Sequence, residues 1–414
     1  MSYQLVCRRC GAHHTEDQFR CPACGGILEC RFDLTDHAYF CNIFRNARHF
    51  WDYRDLFPLN SGERVSIGEG DTPVFAAKNL AAALKMDTVY IKNEGQNPTG
   101  TFKDRCQSVA YSKAVEMGAN AVVIGSAGNA GAAAAAYSAA AGIPCFVFLP
   151  AFTPMERIAQ TLRCGAHAIK IKGNVSDCIE MLEGICKERG WQNVSTAHAC
   201  NPFQAEGCKT IAYELARDLN WQVPDWLLVP IGGGGILSGI WRGWCDLKEV
   251  GVIDRLPRMV GVQEDGCAAV VDAFDKHAAP DEIERVKHPS GVAVAIQDAF
   301  PLDGCTALQA IYDSEGTAVA VSAEEIAEGQ SLIGSTAGVF AEPASASTVA
   351  ALKKLREQNV IGSGESAVCV ITGNGLKDPA FAVAHAKEPA VSEMDEAQLS
   401  RIIDDYLKED QAKA

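Results

Sequence analysis

Along most of the chain, short apolar runs alternate with longer segments whose apolar residues recur at helical spacing. Apolar runs of this length predict buried strands, and the helical period predicts amphipathic helices. The predicted strands are 89–92, 121–125, 145–149, 168–171, 226–230, 259–263, 317–321 and 367–371. The predicted helices among them are 102–117, 132–141, 154–164, 175–188 and 237–247. This alternation predicts an α/β protein whose open, twisted, mainly parallel sheets are covered by helices.

The same pattern suggests how the chain is divided. The aromatic, arginine-bearing stretch 44–58 predicts a helix that connects a small N-terminal module to the rest. Ligands of parallel sheets bind beyond the carboxyl ends of the strands, so a small domain is expected to close over a larger one. The expected parts are a module at 1–40, a large domain at 41–108 and 201–386, a small domain at 109–200 and a C-terminal helical extension at 387–414.

The stretch 97–105 places one lysine where a tight turn meets a helix. Gly100 permits a positive φ, and Thr99 or Thr101 is expected to cap the helix. Lys103 then lies in the first helical turn, where the helix dipole and burial both favour the neutral amine over the ammonium. A neutral amine is a nucleophile, so Lys103 is the predicted reactive group. An exposed surface lysine is the ordinary alternative.

Two loops carry groups suited to a charged ligand. Between the predicted strand 226–230 and the next helix stand four glycines, Gly232, Gly233, Gly234 and Gly235. Successive backbone amides in such a loop are typical of phosphate binding, although a flexible loop is the alternative. The loop 126–131 offers backbone donors to a carboxylate and the side-chain amide of Asn129 to a polar ring substituent.

A reactive lysine, a phosphate loop and a carboxylate loop are together what pyridoxal phosphate chemistry needs. The sequence resembles the pyridoxal-phosphate enzymes of the tryptophan-synthase-β type (fold type II), and among them most resembles the threonine synthases. The resemblance covers roughly residues 60–380. Its matching stretches are 68–73, 92–95, 201–203, 206–210 and 372–379.

The resemblance implies a role for each residue of the expected cofactor site. Lys103 would bind the cofactor covalently and later serve as base for the substrate's α-proton. Phe102 would pack beside the cofactor ring, Asn129 would hydrogen-bond its 3′-oxygen, and glycines 232–235 would hold its phosphate. Thr372 would face the pyridine nitrogen, where a hydroxyl makes the ring a milder electron sink than an aspartate does.

The substrate contacts implied by the resemblance are Ser126, Ala127, Gly128, Ala130 and Gln204. Threonine synthases commonly have an arginine where Gln204 stands, and hydroxyl residues where Ala127 and Ala130 stand. An uncharged amide lacks the charge-assisted grip of a guanidinium on phosphate. The loop Ser-Ala-Gly-Asn and the all-glycine phosphate loop instead resemble those of serine and threonine ammonia-lyases.

The expected enzyme therefore removes the α-proton of an amino acid and eliminates or replaces a β- or γ-substituent. The threonine synthase reaction, from O-phosphohomoserine to threonine, is the best single expectation. An ammonia-lyase (dehydratase) for serine, threonine or another hydroxy amino acid, or a β-replacement enzyme resembling cysteate synthase, is the second. A catalytically inert binding protein is the third, and the intact set of Lys103, Asn129, Thr372 and the glycine loop argues against it.

Two CxxCG motifs near the N-terminus predict a metal site of their own. They contribute Cys7 and Cys10, then Cys21 and Cys24, a spacing that fits a tetrahedral zinc ribbon. Four cysteine ligands leave no open position, so the Zn²⁺ is expected to be structural. Two disulfides are the alternative, but they need an oxidising compartment, and no secretory signal precedes the motifs. Some threonine synthases and cysteate synthases carry such a ribbon.

The amino-acid composition limits the classes of partner that the protein is expected to bind. A chain of 414 residues with 48% hydrophobic content can bury large cores. The formal charge of −15 argues against nucleic acid, and no apolar run is long enough to predict a membrane span. The 17 cysteines, most of them scattered through predicted strands and helices, indicate reduced thiols in the cytoplasm. The expected partner is a small amino-acid substrate, and the resemblance implies a homodimer.

Overall fold

The computed structural model describes residues 3–15, 17–60, 62–172 and 175–413, with the backbone alone for 175–180 and 409–413. Within these residues the strands form three sheets. The strands are β1 (Tyr3–Cys7), β2 (His13–His14), β3 (Leu28–Phe32), β4 (Val74–Ala76), β5 (Thr88–Asn93), β6 (Val122–Gly125), β7 (Cys145–Pro150), β8 (His167–Ile171), β9 (Gln192–Asn193), β10 (Trp226–Pro230), β11 (Arg258–Glu264), β12 (Thr317–Val321) and β13 (Ser366–Ile371).

Helices cover the two larger sheets. They are α1 (His37–Asn46), α2 (Lys78–Ala83), α3 (Lys103–Glu116), α4 (Asn129–Ala141), α5 (Met155–Arg163), α6 (Val175–Arg189), α7 (Glu206–Asp218), α8 (Gly235–Glu249), α9 (Ala269–Asp275), α10 (Gly304–Asp313), α11 (Ala323–Ala337), α12 (Pro343–Glu357), α13 (Pro379–His385) and α14 (Glu396–Lys413). Short 3₁₀ helices lie at Phe50–Leu56, Glu94–Gln96, Asp265–Cys267, Val294–Ile296 and Gly375–Lys377. Among the described helices, none has both the length and the apolar character that crossing a bilayer requires.

The predicted α/β class is confirmed, and the predicted strands are present within a residue or two of their expected ends. Strand β10 coincides with its prediction because all five of its residues are apolar or proline and all are buried. The single connecting helix predicted at 44–58 is wrong. Helix α1 ends at Asn46, and a 3₁₀ helix follows at Phe50–Leu56, where four of the seven side chains are buried. Tertiary burial of these aromatic residues overrides the local helical pattern.

The larger sheet has six strands in the order β12-β11-β10-β13-β5-β4. All neighbouring pairs are parallel except β4 with β5. In the middle of the sheet, Leu228 of β10 pairs with Val260 on one side and Cys369 on the other. Because β10 and β13 are parallel neighbours, the glycines after β10 and Thr372 after β13 leave the same edge of the sheet.

The smaller sheet has four parallel strands in the order β8-β7-β6-β9. Its core includes Ile124 and Val147 of the strands, with Tyr111 of α3 and Tyr137 of α4 packed against them. Strand β6 ends at Gly125 and α4 begins at Asn129, so the loop between them lies at the carboxyl edge of this sheet.

The N-terminal module is a three-stranded antiparallel sheet, β2-β1-β3, with a small core. That core includes Phe203, which is contributed by the segment before α7. The Phe203 ring packs edge-on against Phe19 and Tyr3, with ring centres 5.7 and 6.4 Å apart. The matched stretch 201–203 therefore holds the module against the rest of the compact unit.

Residues up to Asp378 form one compact unit, and those from Pro379 onward form a second. The second unit contains α13 and α14 and begins before the predicted extension at 387. Helix α14 is capped by Asp395, whose carboxylate accepts a hydrogen bond of 2.7 Å from the amide of Gln398.

Candidate active site

Lys103 is the first residue of α3, and a tight turn delivers it there. In this turn Gly100 has a φ of +81°, and its amide donates to the carbonyl of Asn97 at 2.8 Å. The amide of Phe102 then donates to the carbonyl of Thr372 at 3.0 Å. Since Thr372 directly follows β13, the sheet edge and the helix together fix the position of Lys103.

The predicted threonine cap of α3 is wrong. Thr101 donates its hydroxyl to the carbonyl of Thr372 at 3.1 Å, away from the helix. The amide and the hydroxyl of Thr99 both donate to the carboxyl group of Asp104, at 2.7 and 2.6 Å. Burial raises the pKa of Asp104 to about 7, although these donors oppose the shift. The carboxyl group of Asp104, in the first turn of the helix, thus stabilises the preceding tight turn, and no threonine hydroxyl caps the helix.

The amine of Lys103 lies beside the glycine loop. Its Nζ donates to Oγ1 of Thr196 at 2.7 Å and lies 4.6 Å from the centre of the Phe102 ring. The carbonyl oxygen of Thr196 is 3.9 Å from the position that a Cβ would occupy on Gly235. Thr196 therefore contacts the amine and borders the loop. A single threonine in an irregular segment carries no sequence pattern, which is why this residue was missed.

The four glycines 232–235 form the bend between β10 and α8, and at three of them, Gly232, Gly234 and Gly235, a Cβ would lie 3.2 Å or less from a neighbouring protein atom. Gly234 has a φ of +100°, and a Cβ on it would lie 2.6 Å from the carbonyl oxygen of Asp303. A Cβ on Gly232 would lie 3.2 Å from the carbonyl oxygen of Ala295. The bend opens directly into a helix of 15 residues, whose first amides lack acceptors within the helix. Such a backbone surface suits a phosphate group.

A line of hydrogen bonds joins the two sheet edges across the site. Asn129 donates from its side-chain amide to Glu342 at 2.9 Å, and the hydroxyl of Thr372 lies 3.4 Å from the other oxygen of Glu342. Oγ of Ser345 is 2.9 Å from Oγ1 of Thr372. Burial raises the pKa of Glu342, and the bond from Asn129 partly offsets this effect. The orientations of Asn129 and Thr372 are therefore set by Glu342 and Ser345.

Ser126 organises the loop at the start of α4. Its Oγ accepts hydrogen bonds from the amides of Gly128 at 3.3 Å and Gly131 at 3.0 Å. In the described part of the chain, the amides of Asn129 and Ala130 have no protein acceptor, because a helix supplies none to its first turn. These two amides can receive a carboxylate.

Of the remaining predicted substrate contacts, Ala127 and Ala130 are half-buried and Gln204 is fully buried. Ala127 and Ala130 pack against the core of the smaller sheet. Gln204 is 2% exposed, and its backbone N–H donates to Oδ1 of Asn201 at 3.3 Å. Gln204 directly follows Phe203, which is held by the N-terminal module.

An open pocket of about 200 Å³ lies in front of Asn129. The loop before α4, helix α5 and the segment after β13 all contribute to its walls. Its lining residues include Gly128, Asn129, Arg157, Gln160, Ala295, Glu342, Lys377 and Asp378, and Gln204 is not among them.

Four fully buried charges form a closed cluster beneath α3. The guanidinium of Arg105 donates to both Glu94 and Glu214 at 2.5 to 2.8 Å, and Lys92 donates to Glu214 at 2.7 Å. Burial alone would raise the pKa values of Glu94 and Glu214, but Arg105 holds both below their usual range. Two cations and two anions leave the cluster neutral. It anchors α3 only two residues after Lys103.

A family described as "Pyridoxal-phosphate dependent enzyme" matches residues 65–373, which is most of the chain. The matched span contains the lysine turn, the glycine loop and Thr372. The chain belongs to the pyridoxal-phosphate-dependent enzyme family. The predicted requirement for pyridoxal 5′-phosphate is thereby confirmed, while the roles of individual residues stay predictions.

Full-length relatives lie within the same family. The chain is 41% identical to the threonine synthase of Methanocaldococcus jannaschii, over 96% of this chain and 98% of that protein. It is 38% identical to the threonine synthase of Methanosarcina acetivorans, over 94% and 96% of the two chains. Among solved structures, the L-serine ammonia-lyase of Rhizomucor miehei aligns with a TM-score of 0.66 at 19% identity, covering 78% of this chain and 98% of the other. That likeness shows the shared fold.

Two carboxyl groups border the glycine loop of this member of the pyridoxal-phosphate family, those of Asp298 and Asp303. Oδ2 of Asp298 is 3.6 Å from the position of a Cβ on Gly233. Burial raises the pKa of Asp298 to about 6, Asp303 adds to the shift, and Arg285 and Lys103 oppose it. An acid in an irregular segment has no local signature, so the sequence did not single it out.

The four cysteines of the N-terminal module bring their sulfur atoms together. All four lie within 4.8 Å of one another, with Cys7 and Cys24 at 3.5 Å and Cys10 and Cys21 at 3.7 Å. Four thiolates on one zinc ion, with bonds of about 2.3 Å, are separated by about 3.8 Å. A disulfide requires about 2.05 Å. The observed spacing fits one tetrahedral ion better than it fits two disulfides.

Proposed function

We propose that this enzyme converts O-phosphohomoserine and water to threonine and inorganic phosphate. The observation that carries the chemistry is the contact of Lys103 Nζ with Thr196, which borders the glycine loop. The amine for which we propose reactivity and the backbone for which we propose phosphate binding thus both lie beside Thr196. The choice of substrate is supported by the near full-length similarity to proteins named threonine synthase.

The residues present fit the cofactor. The glycine bend leads into α8, whose first amides lack acceptors within the helix and can receive a phosphate. Lys103 would hold the cofactor covalently, Asn129 would donate to its ring oxygen, and Thr372 would face its ring nitrogen. When bound, the cofactor supplies an electron sink for the negative charge that develops at the substrate α-carbon.

The protein side chains would then move the proton. Once the substrate's amino group has taken the place of Lys103, the freed amine is positioned to remove the α-proton. The amides of Asn129 and Ala130 would hold the substrate carboxylate and thereby orient the α-carbon toward that amine. Removal of a β-proton, loss of phosphate from the γ-carbon, protonation of the γ-carbon, addition of water at the β-carbon and return of a proton to the α-carbon would complete the reaction.

A second candidate is an ammonia-lyase for serine or threonine. It is favoured by the small residues Ala127 and Ala130 and by Gln204, none of which brings a charge to a substrate phosphate. Such an enzyme would release a keto acid and ammonia from an unphosphorylated amino acid.

A substrate panel separates these two functions. Purified enzyme would be incubated with O-phosphohomoserine, O-phosphoserine, threonine and serine in turn, while phosphate, threonine and keto acids are measured. We expect phosphate release with threonine formation from O-phosphohomoserine alone. Keto acid from threonine or serine, without turnover of O-phosphohomoserine, would replace the proposal by the ammonia-lyase.

The proposed covalent bond between Lys103 and the cofactor is tested by the visible absorbance of the purified protein. We expect the protein to show the absorbance of lysine-bound cofactor and Lys103→Ala to lose it. Lys78→Ala is a matched control, because Lys78 is also the first residue of a helix but is exposed. Equal absorbance in the wild type and Lys103→Ala would reject the role.

We further propose that Cys7, Cys10, Cys21 and Cys24 bind one structural zinc ion in a reducing compartment such as the cytoplasm. Metal analysis is expected to find one zinc per chain in the wild type and none in Cys10→Ser. The control Cys164→Ser removes a thiol outside the module. A wild-type protein purified without chelators and lacking zinc would contradict the proposal.

A further inference from the structure

The pocket in front of Asn129 is lined by two cationic side chains, Arg157 and Lys377, which belong to segments that pack with different sheets. Arg157 lies on α5, which packs with the smaller sheet, and Lys377 follows β13 of the larger sheet. Lys377 lies in the matched stretch 372–379, but the sequence pattern assigned no role to either cation.

Arg157 faces the substrate loop. One guanidinium nitrogen, Nη2, is 3.3 Å from the position that a Cβ would occupy on Gly128. The other, Nη1, is 3.8 Å from Oδ2 of Asp378, an ion pair too long for a hydrogen bond. A guanidinium carries five N–H donors in one plane. Within the described residues this one has no close acceptor, so its donors are available to a ligand.

Lys377 is a partly buried ammonium whose partner is a neutral amide. Its Nζ donates to Oε1 of Gln160 at 2.6 Å, and no described carboxylate lies within 4.0 Å of it. Burial lowers the pKa of Lys377, although Glu342 and Asp104 oppose this effect from a distance. An ammonium removed from water without a counter-ion is stabilised by an anionic ligand. Gln160 lies one turn beyond Arg157 on α5, so both cations border the same helix.

We propose that Arg157 and Lys377 together bind the phosphate of a substrate whose side chain is a phosphate ester. This inference rests on the proposed function and names the contact that Gln204 does not supply. A phosphate dianion matches two cations, and the planar donors of Arg157 suit its oxygens. An unphosphorylated hydroxy amino acid would leave both charges without a partner, so the same pair selects against it.

The acidic residues of the pocket do not cancel this pair. Glu156 is exposed, so solvent screens its charge. Asp378 is the 3.8 Å partner of Arg157 and offsets part of that one cation. Glu342 is buried and accepts hydrogen bonds from Asn129 and Thr372. Lys377 is therefore left without a carboxylate within 4.0 Å among the described residues, and the charge of Arg157 is offset only in part.

The test uses inorganic phosphate and the cofactor-loaded enzyme. Phosphate binding and the KM for O-phosphohomoserine would be measured in the wild type, Arg157→Gln, Lys377→Gln and Arg157→Lys. Arg163→Gln is the matched control, since Arg163 lies on the same helix but is exposed and outside the pocket. We expect both glutamine variants to bind phosphate about tenfold more weakly and to raise the KM similarly. Arg157→Lys should retain part of the affinity, and Arg163→Gln should match the wild type.

Equal phosphate binding in the wild type and both glutamine variants would overturn the inference. Phosphate that binds only by displacing the cofactor absorbance would also overturn it, because it would then occupy the glycine loop. If Arg157→Gln does not fold, Lys377→Gln decides. Turnover of O-phosphohomoserine that neither variant impairs would reject this site and keep the proposed function. If the enzyme is inactive on O-phosphohomoserine but both variants lose phosphate binding, the phosphate site is supported and the proposed function is rejected.

Discussion

The two walls of the candidate active site differ in how their charged side chains are buried and paired. Behind Lys103, the charges of Arg105, Glu94 and Glu214 are fully buried and bonded to one another at 2.5 to 2.8 Å. On the pocket side, Arg157 and Lys377 are partly exposed and lack a close carboxylate among the described residues. Paired charges in a low-dielectric interior fix geometry, whereas unpaired charges at a pocket favour an incoming ion. The first wall is therefore a scaffold, and the second is a recognition surface.

Breaking the buried cluster should have the largest effect. Glu214→Gln removes the charge that accepts from both Arg105 and Lys92, and it leaves two buried cations with one carboxylate. Removing one partner of a buried ion pair costs roughly 3–5 kcal/mol. We expect a marked fall in the thermal midpoint and in denaturant stability. The exposed Glu249→Gln is the control and should remain close to the wild type. Equal stability of the two variants would mean that the cluster does not anchor α3.

Filling the glycine bend should have the next largest effect, and on cofactor affinity. Gly234→Ala forces a Cβ to within 2.6 Å of the carbonyl of Asp303. The loop must shift, and we expect cofactor binding to weaken about tenfold or more, a loss of about 1.4 kcal/mol. Gly118→Ala is the matched control, because Gly118 also has a positive φ, +70°, but nothing lies within 4 Å of the added methyl. If both variants lose affinity equally, backbone strain and not the contact with Asp303 is responsible.

The same contrast explains what the sequence revealed. Strand β10, the glycine loop and Lys103 were predictable because an all-apolar run, four glycines and a proline–glycine turn are local patterns. Arg157 and Lys377 were not predicted, since a charge on a helix face or in a loop is usually solvated. Their significance comes from a contact between residues 160 and 377, which no local pattern can show.

The buried cluster shows the limit of motif matching. Lys92 lies in a matched stretch, yet that match did not reveal its partner Glu214, which is more than a hundred residues away. Likewise Gln204 is an implied substrate contact, but the preceding Phe203 packs into the core of the N-terminal module. A matching motif can thus contribute to packing in a region where the resemblance implies chemistry.

A smaller effect is expected from the hydroxyl of Ser345, which orients Thr372. Ser345→Ala removes the hydroxyl that lies 2.9 Å from Thr372 Oγ1 and accepts from the amide of Gly373 at 2.9 Å. Each such bond contributes about 1 kcal/mol, so we expect kcat/KM to fall about fivefold and the cofactor absorbance to shift. Ser347→Ala on the same helix removes a bond to the carbonyl of Ala344 instead and should change neither measurement. An unchanged spectrum in Ser345→Ala would mean that Thr372 needs no such support.

The smallest effect should be a pH dependence of cofactor affinity that arises from Asp298, which borders the glycine loop. Its pKa of about 6 lies above the usual 3.8, so it is neutral at pH 5 and charged at pH 7. The charged form repels a phosphate held by Gly233, and cofactor affinity should weaken as pH rises through 6, although Lys103 and Arg285 moderate the effect. Other pH effects on cofactor binding are shared by the wild type and a variant of Asp298. The informative quantity is therefore the ratio of the cofactor Kd of the wild type to that of Asp298→Asn, which we expect to rise a few-fold between pH 5 and 7. A ratio that stays constant over this range would show that Asp298 does not sense the phosphate.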